Sequence, residues 1–135
     1  ALLRRPAWRP EWLGLPVTDF EQGPRSRWLP NLEFGGAWVD PRQPEVIPCY
    51  FQGLLTDASG TPPKSEVTIV VAVNGQIAGA TRTLRDRGFI GNWGLLTDER
   101  RFHVDWNAVE VYEVLEQDGT PRLCLCEDLR AGHRQ

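Results

Sequence analysis

"VAVNGQIAG", Val71 to Gly79, decides how this chain is read. It joins the β-branched run "EVTIVVAV" to "QIAGATRTL" through the dipeptide Asn74-Gly75. Two apolar runs separated by Asn-Gly are a strong hairpin signal, because a type I′ turn needs positive φ at both central residues. The turn then sets the register. Val73 is expected to face Gln76, Val71 Ala78 and Ile69 Ala80. On the other face Ala72 is expected to meet Ile77, Val70 Gly79 and Thr68 Thr81. Large residues meet small ones, and a Thr–Thr cross-strand pair is favourable. Asn74 and Gly75 are thus read as a structural turn that fixes register.

The run from Val67 to Val73 is apolar on both faces, as suits a central strand covered on both sides. Working outward, "NLEFGGAWV" alternates Leu32, Phe34 and Trp38, with Gly35-Gly36 as a bulge. "EVIPCYFQGLL" is a strand kept to an edge or kink by Pro48. "FIGNWGLL", "NAVEVYEVL" and "PRLCLCEDL" are further strands, the last two joined by "QDGT". "TDASGTPPKS" and "TDERRFHVDW" are polar connections. The expected fold is all-β: an antiparallel β-sandwich, Ig-like or jelly-roll-like, of about seven or eight strands over residues 31–130.

Residues 1–30 read differently. Pro6, Pro10, Pro16, Pro24 and Pro30 recur too often for a long helix. Trp8, Trp12, Leu13, Leu15, Val17 and Phe20 are too apolar for a free tail. A connector laid on the domain, or on a partner, is expected, with one helical turn near Glu11–Leu15 opened by Pro10. The first residue is Ala1, which points to processing or to excision from a longer protein.

Composition sets the outer bounds. A chain of 135 residues suits one domain. A net charge of -3 gives no basic face for nucleic acid. No apolar run approaches the ~18 residues of a membrane-spanning helix. Lys64 is the sole lysine against fourteen arginines. Cys124 and Cys126, two apart on one strand, would sit ~7 Å from each other at ~3.3 Å per residue, too far for a disulfide's ~4 Å between Cβ atoms. They and Cys49 are read as small buried thiols. A zinc site is not expected, since C-x-C stands without a second ligand pair. No cofactor or metal is implied.

Catalytic motifs are missing from the sequence: it holds no G-x-S-x-G, P-loop, H-E-x-x-H or dinucleotide fingerprint. His103 and Asp105 would share a strand face, but no nucleophile accompanies them. Binding is the alternative. Trp93, set among Gly91, Asn92 and Gly94, offers an indole on which a sugar ring would stack if exposed. Arg82, Arg85 and Arg87 would then form a neighbouring edge for hydroxyls or anions. Against this stands the reading in which Trp93 packs under a loop or the N-terminal segment and the arginines are a solvated edge paired with Asp86; it is the favoured one.

Three blocks in order, Val46–Leu55, Val67–Gly88 and Trp93–Glu116, together with the connector "WLGLPVTDF" (Trp12–Phe20), carry a family likeness. They resemble the C-terminal β-sandwich module of membrane-anchored bacterial sulfatase-like and phosphoglycerol-transferase-like proteins of the alkaline phosphatase superfamily. The family pattern runs Val-Pro-Ala, an "AVAVNG-I-A-TRT" hairpin, a segment near "LVPE", then "G-x-N-x-V-E-V-Y-x-V". Ile47-Pro48-Cys49, Ala72–Thr83, Leu95–Glu99 and Asn107–Val114 stand in those places. Trp106 departs from the pattern, where the family favours glycine.

The resemblance implies that the metal-bound nucleophile of that superfamily lies upstream. No C-x-P-x-R signature occurs here. It further implies a non-catalytic accessory domain whose partner is the upstream hydrolase domain of the same chain. Such a domain would sit on the periplasmic or extracytoplasmic side of the cytoplasmic membrane, tied to it only through the parent protein. The rival reading is a carbohydrate-binding module with a glycan site at Trp93 and Arg82–Arg87.

Overall fold

The computed structural model describes residues 9–35, 50–86, 89–96 and 106–132. The fold is all-β. Among these residues the strands are β1 (Glu21–Gln22), β2 (Leu32–Gly35), β3 (Tyr50–Leu54), β4 (Thr68–Val73), β5 (Gln76–Arg82), β6 (Leu84–Asp86), β7 (Phe89–Leu96), β8 (Trp106–Gln117) and β9 (Thr120–Gly132). They form a five-stranded sheet in the order β1-β9-β8-β4-β5 and a four-stranded sheet in the order β2-β3-β7-β6. Only the short β1–β9 contact is parallel.

Two tight hairpins organise the larger sheet. Asn74 and Gly75 have φ of 54° and 84°, and Asp118 and Gly119 have 53° and 80°. These are the left-handed values a two-residue hairpin turn requires. The register near Asn74-Gly75 is the expected one for two pairs, Val73–Gln76 and Ala72–Ile77. Beyond them it slips by one residue, to Val71–Gly79, Val70–Ala80, Ile69–Thr81 and Thr68–Arg82. The expected pairs Val71–Ala78, Val70–Gly79, Ile69–Ala80 and Thr68–Thr81 are therefore corrected.

The reason for the slip is packing. Ala78 is the extra residue of a β-bulge, which leaves one residue of the strand unpaired. A Cβ on Gly79 would come within 2.8 Å of the Leu95 side chain on β7. The bulge thus turns two small residues toward β7, where larger ones would not fit.

The chain changes sheets at Thr83. β5 belongs to the larger sheet and β6 to the smaller, although one residue separates them. Thr83 is fully buried and holds the corner with two bonds to one residue: its N–H donates to the Val67 carbonyl, and its hydroxyl accepts the Val67 N–H, each at 2.9 Å. "QIAGATRTL", expected as one strand, is therefore two.

β4 has neighbours on both edges and is buried on both faces, as its composition requires. Ile69, Val71 and Val73 enter a cluster shared by both sheets, with Phe51, Trp93 and Leu95 from the smaller one. Val70 and Ala72 enter a second cluster with Ile77, Tyr112 and Leu123. Successive residues of a strand point to opposite faces, so these are the two sides of one sheet.

Residues 9–30 cover the second cluster. Pro10–Trp12 is a single 3-10 turn. Trp12 is buried, and Leu15, Val17 and Phe20 pack against the same cluster. Trp12 and Phe20 meet edge to face at 5.4 Å between ring centres, a preferred aromatic geometry. The segment also seals both edges of the sheet. At β5, Gly14 N–H donates to the Ile77 carbonyl and Ile77 N–H to that of Leu15. At β9, β1 pairs with Arg122 and Leu123, and Gly23 and Ser26 donate to the Leu123 and Leu125 carbonyls. A sheet edge left bare is an aggregation hazard, and a covering segment removes it.

Cys124 and Cys126 are free, buried thiols. The register shift opposite Val111 and Tyr112 falls at Cys126, which has no partner across the ladder. Cys126 joins the shared cluster, whereas Cys124 lies under Gly23, where an added Cβ would meet its Sγ at 2.6 Å. Burial raises both thiol pKa values, that of Cys126 to about 11. Trp38, Pro48, Cys49, Arg87, His103 and Asp105 lie outside the described residues, as do the side chains of Arg85 and Trp106.

Candidate functional site

Trp93, the sugar platform of the rival reading, has no exposed surface. Its cross-strand neighbour on β3 is Gly53. A side chain on Gly53 would collide with the Pro30 carbonyl, so glycine there lets the N-terminal segment approach. The Pro30 carbonyl in turn accepts the Trp93 indole N–H at 3.1 Å. A ring buried on every side and hydrogen-bonded internally offers no face to a ligand. The alternative of an exposed stacking platform is corrected, and the favoured reading, packing against the N-terminal segment, describes Trp93.

Of the remaining residues of that site, Arg87 and the side chain of Arg85 lie outside the described residues. Asn92 is half-buried in β7, between Leu54 of β3 and Leu84 of β6. Arg82 ends β5 and lies 3.8 Å from the Glu66 carboxylate. Arg85 is in β6, opposite Ile90.

The hairpin tip has contacts that the sequence did not announce. Asn74 and Ala108, at the start of the described side chains of β8, form a reciprocal pair. Asn74 N–H donates to the Ala108 carbonyl at 2.7 Å, and Ala108 N–H to the Asn74 side-chain oxygen at 2.9 Å. The Gly75 carbonyl accepts the N–H of Val17 at 2.9 Å. Two adjacent residues thus hold the connector, the hairpin and the third block together. Backbone groups near a sheet end must find partners, and here each block supplies them to another.

A concavity among the described residues lies at the opposite end of β4. That strand begins at Thr68, opposite Val114, whereas β8 runs on to Gln117 paired with β9 alone. The space left beside the last residues of β8 is a groove of about 560 Å³, within the size range of small-molecule sites. One wall is the loop from Asp57 to Glu66, and the other is Arg27-Trp28 of the N-terminal segment. A smaller hollow of about 330 Å³ adjoins it across Arg27, Trp28, Glu113 and Leu115.

The charges along the groove are unequal in their commitments. One Asp57 oxygen accepts the Ser59 hydroxyl at 2.6 Å, the Ser59 N–H at 2.9 Å and the Thr61 N–H at 3.1 Å. These bonds, that of the Ser59 hydroxyl foremost, hold its carboxyl below the usual carboxylate pKa. Glu66 faces Arg82. Glu113 accepts the Ser26 hydroxyl at 2.8 Å. Arg27 lies over the Trp28 ring at 4.6 Å, and its charge adds to the lowering at Asp57; Arg27 and Lys64 are both exposed. Sequence reasoning misses Arg27 and Trp28. Their one available signal is adjacency of a cation and an indole at the end of the proline-rich segment.

No group of three or more His, Cys, Asp or Glu side chains suited to a metal ion occurs among the described residues. No helix among them is long and apolar enough to cross a membrane. Comparison with protein-family models, with curated proteins and with solved structures returned no match.

Proposed function

We propose that these residues are a non-catalytic accessory domain of an extracytoplasmic sulfatase-like hydrolase or transferase, which supports or orients the catalytic domain or its substrate. The observation that carries this reading is the junction at Asn74-Gly75. The connector, the hairpin and the "NAVEVYEV" strand are the blocks that carry the family likeness. In the fold they bond to one another at that turn, through Val17, Gly75, Asn74 and Ala108.

The arrangement also supports a mechanical role. A segment that fills the outer face of the sheet and seals both its edges enters the domain along a fixed path. A catalytic domain preceding it would be held in a defined orientation rather than on a free tether. On this reading the domain lies outside the cytoplasmic membrane and reaches it only through the parent protein. The sequence of the complete gene tests the proposal. Membrane-spanning helices and a metal-ligand set of the alkaline phosphatase type upstream of Ala1 are the expected result. A start codon directly before Ala1 would end it.

A further inference from the structure

We propose that residues 21–27 form a redox-sensitive latch: this part of the N-terminal segment lifts from β9 without the rest of the fold, and a mixed disulfide at Cys124 holds it open. The device goes beyond the accessory role and does not depend on it. Trp12 and Trp28 are buried anchors, and no side chain between them is fully buried. Glu21, Gln22, Pro24, Arg25 and Arg27 are exposed. What holds residues 21–27 to β9 is chiefly backbone. β1 pairs with Arg122 and Leu123, and the Gly23 and Ser26 N–H groups donate to the Leu123 and Leu125 carbonyls at 2.9 Å each. The Ser26 hydroxyl adds a bond to Glu113. The contacts of Arg122 with Glu21 and of Arg25 with the Cys126 carbonyl are long, at 3.3 and 3.5 Å. A segment held by exposed hydrogen bonds, with little apolar burial, opens more readily than a sheet interior.

Cys124 is the group this opening uncovers. Its sulfur lies directly beneath Gly23, where even a Cβ would come within 2.6 Å of it, and the residue is buried. While the latch is closed, the sulfur has no room for a bonded group. Burial also raises the thiol pKa, so the attacking thiolate is scarce. The hollow of about 330 Å³ along Pro24, Arg25, Ser26 and Cys124 adjoins this point and gives an incoming group a place to lie. Once residues 21–27 lift, the Cys124 proton passes to solvent, and the thiolate attacks one sulfur of a small-molecule disulfide. One S–S bond forms as the other breaks, and the second half of the reagent leaves as a thiolate. Gly23 then cannot return to its place over the sulfur. Exchange with a small thiol reverses the step and lets the latch close. Cys126 has no such access. It is buried in the cluster shared by the two sheets, with Phe51 and Trp93, and only separation of the sheets exposes it.

The test treats the whole chain with oxidised glutathione at constant pH and follows modification by mass spectrometry. The tryptic peptide 123–130 holds both Cys124 and Cys126 but not Cys49, and its fragmentation assigns the site. Cys124 should be modified about tenfold or more faster than Cys126, because a local opening is more populated than a global one. Dilute urea should leave the Cys124 rate unchanged and raise that of Cys126, since the denaturant response scales with the surface exposed. Val71→Ala, which weakens the shared cluster away from the latch, should raise the Cys126 rate about tenfold or more and leave the Cys124 rate as it was. After modification of Cys124, the Gly23 and Ser26 amides should lose protection from hydrogen exchange while those of Gly14 and Val17 keep it, and a small thiol should restore the first two. Equal rates or equal urea dependence for the two thiols would overturn the proposal. So would Gly23 and Ser26 amides that stay protected once Cys124 is modified.

Discussion

The two faces of the larger sheet are buried in different ways. Ile69, Val71 and Val73 meet side chains of the second sheet, such as Phe51 and Trp93. Val70 and Ala72, one residue out of step, meet Trp12 and its neighbours from a segment with no regular structure beyond two 3-10 turns and a two-residue strand. The first face is covered by strands whose own ladders satisfy their backbones. The second is covered by a segment that must borrow hydrogen bonds from the sheet edges to lie there. Equal burial thus rests on unequal support, and the two faces should respond differently to damage.

The largest effect is expected where support is greatest. Trp93→Ala removes the biggest fully buried side chain of the shared cluster and orphans the Pro30 carbonyl. A cost of about 3–5 kcal/mol is expected, read from the urea midpoint. Trp12→Ala should cost about 3 kcal/mol, at the lower end of that range, because the overlying segment can settle into the space left. A larger loss for Trp12 than for Trp93 would reverse the ranking of the two faces.

Asn74→Ala comes next. It removes the acceptor of the Ala108 N–H and places alanine at a φ of 54°. About 1–3 kcal/mol should be lost, again by denaturant midpoint. If only the turn geometry mattered, Asn74→Gly would restore full stability. The junction instead requires Asn74→Gly to remain less stable than the parent, because the Ala108 N–H stays without its partner.

The effect of narrowest range is a pH dependence, confined to alkaline solution. Burial disfavours the Cys126 thiolate and pushes its pKa from an ordinary 9.0 up to about 11 in the folded chain. Between those values the unfolded state holds fewer protons, so stability falls as pH rises and levels off above the folded value. Below about pH 9 this group contributes no slope. Cys126→Ala should flatten the fall in urea midpoint over that interval. An unchanged slope would show that the thiol is not shielded as its position in the shared cluster requires.

What was legible in the sequence follows the same division. The β-branched runs and the Asn-Gly and Asp-Gly turns announce the hairpins and the all-β class, since both signals are local. The slip at Ala78 was not legible, because it answers to Leu95 on another strand. The break at Thr83 depends likewise on Val67, sixteen residues earlier. That Trp93 packs inward was the favoured reading, but its partner was not legible: the glycine that matters is Gly53, across the ladder, which admits Pro30. The edge-sealing bonds of residues 14–26 have no side-chain signature, because they are made by backbone groups. Arg27 and Trp28 define a groove wall only once β4 is seen to stop short of the end of β8.

Native-state hydrogen exchange of three amides tests most directly that the N-terminal segment is built into the sheet: Gly14, which donates to Ile77; Ile77, which donates to Leu15; and Val17, which donates to Gly75. Protection of all three close to that of Val71 and Val111 in the sheet interior is the predicted result. Exchange of these three at the rate of an unstructured peptide, with Val71 and Val111 still protected, would contradict it.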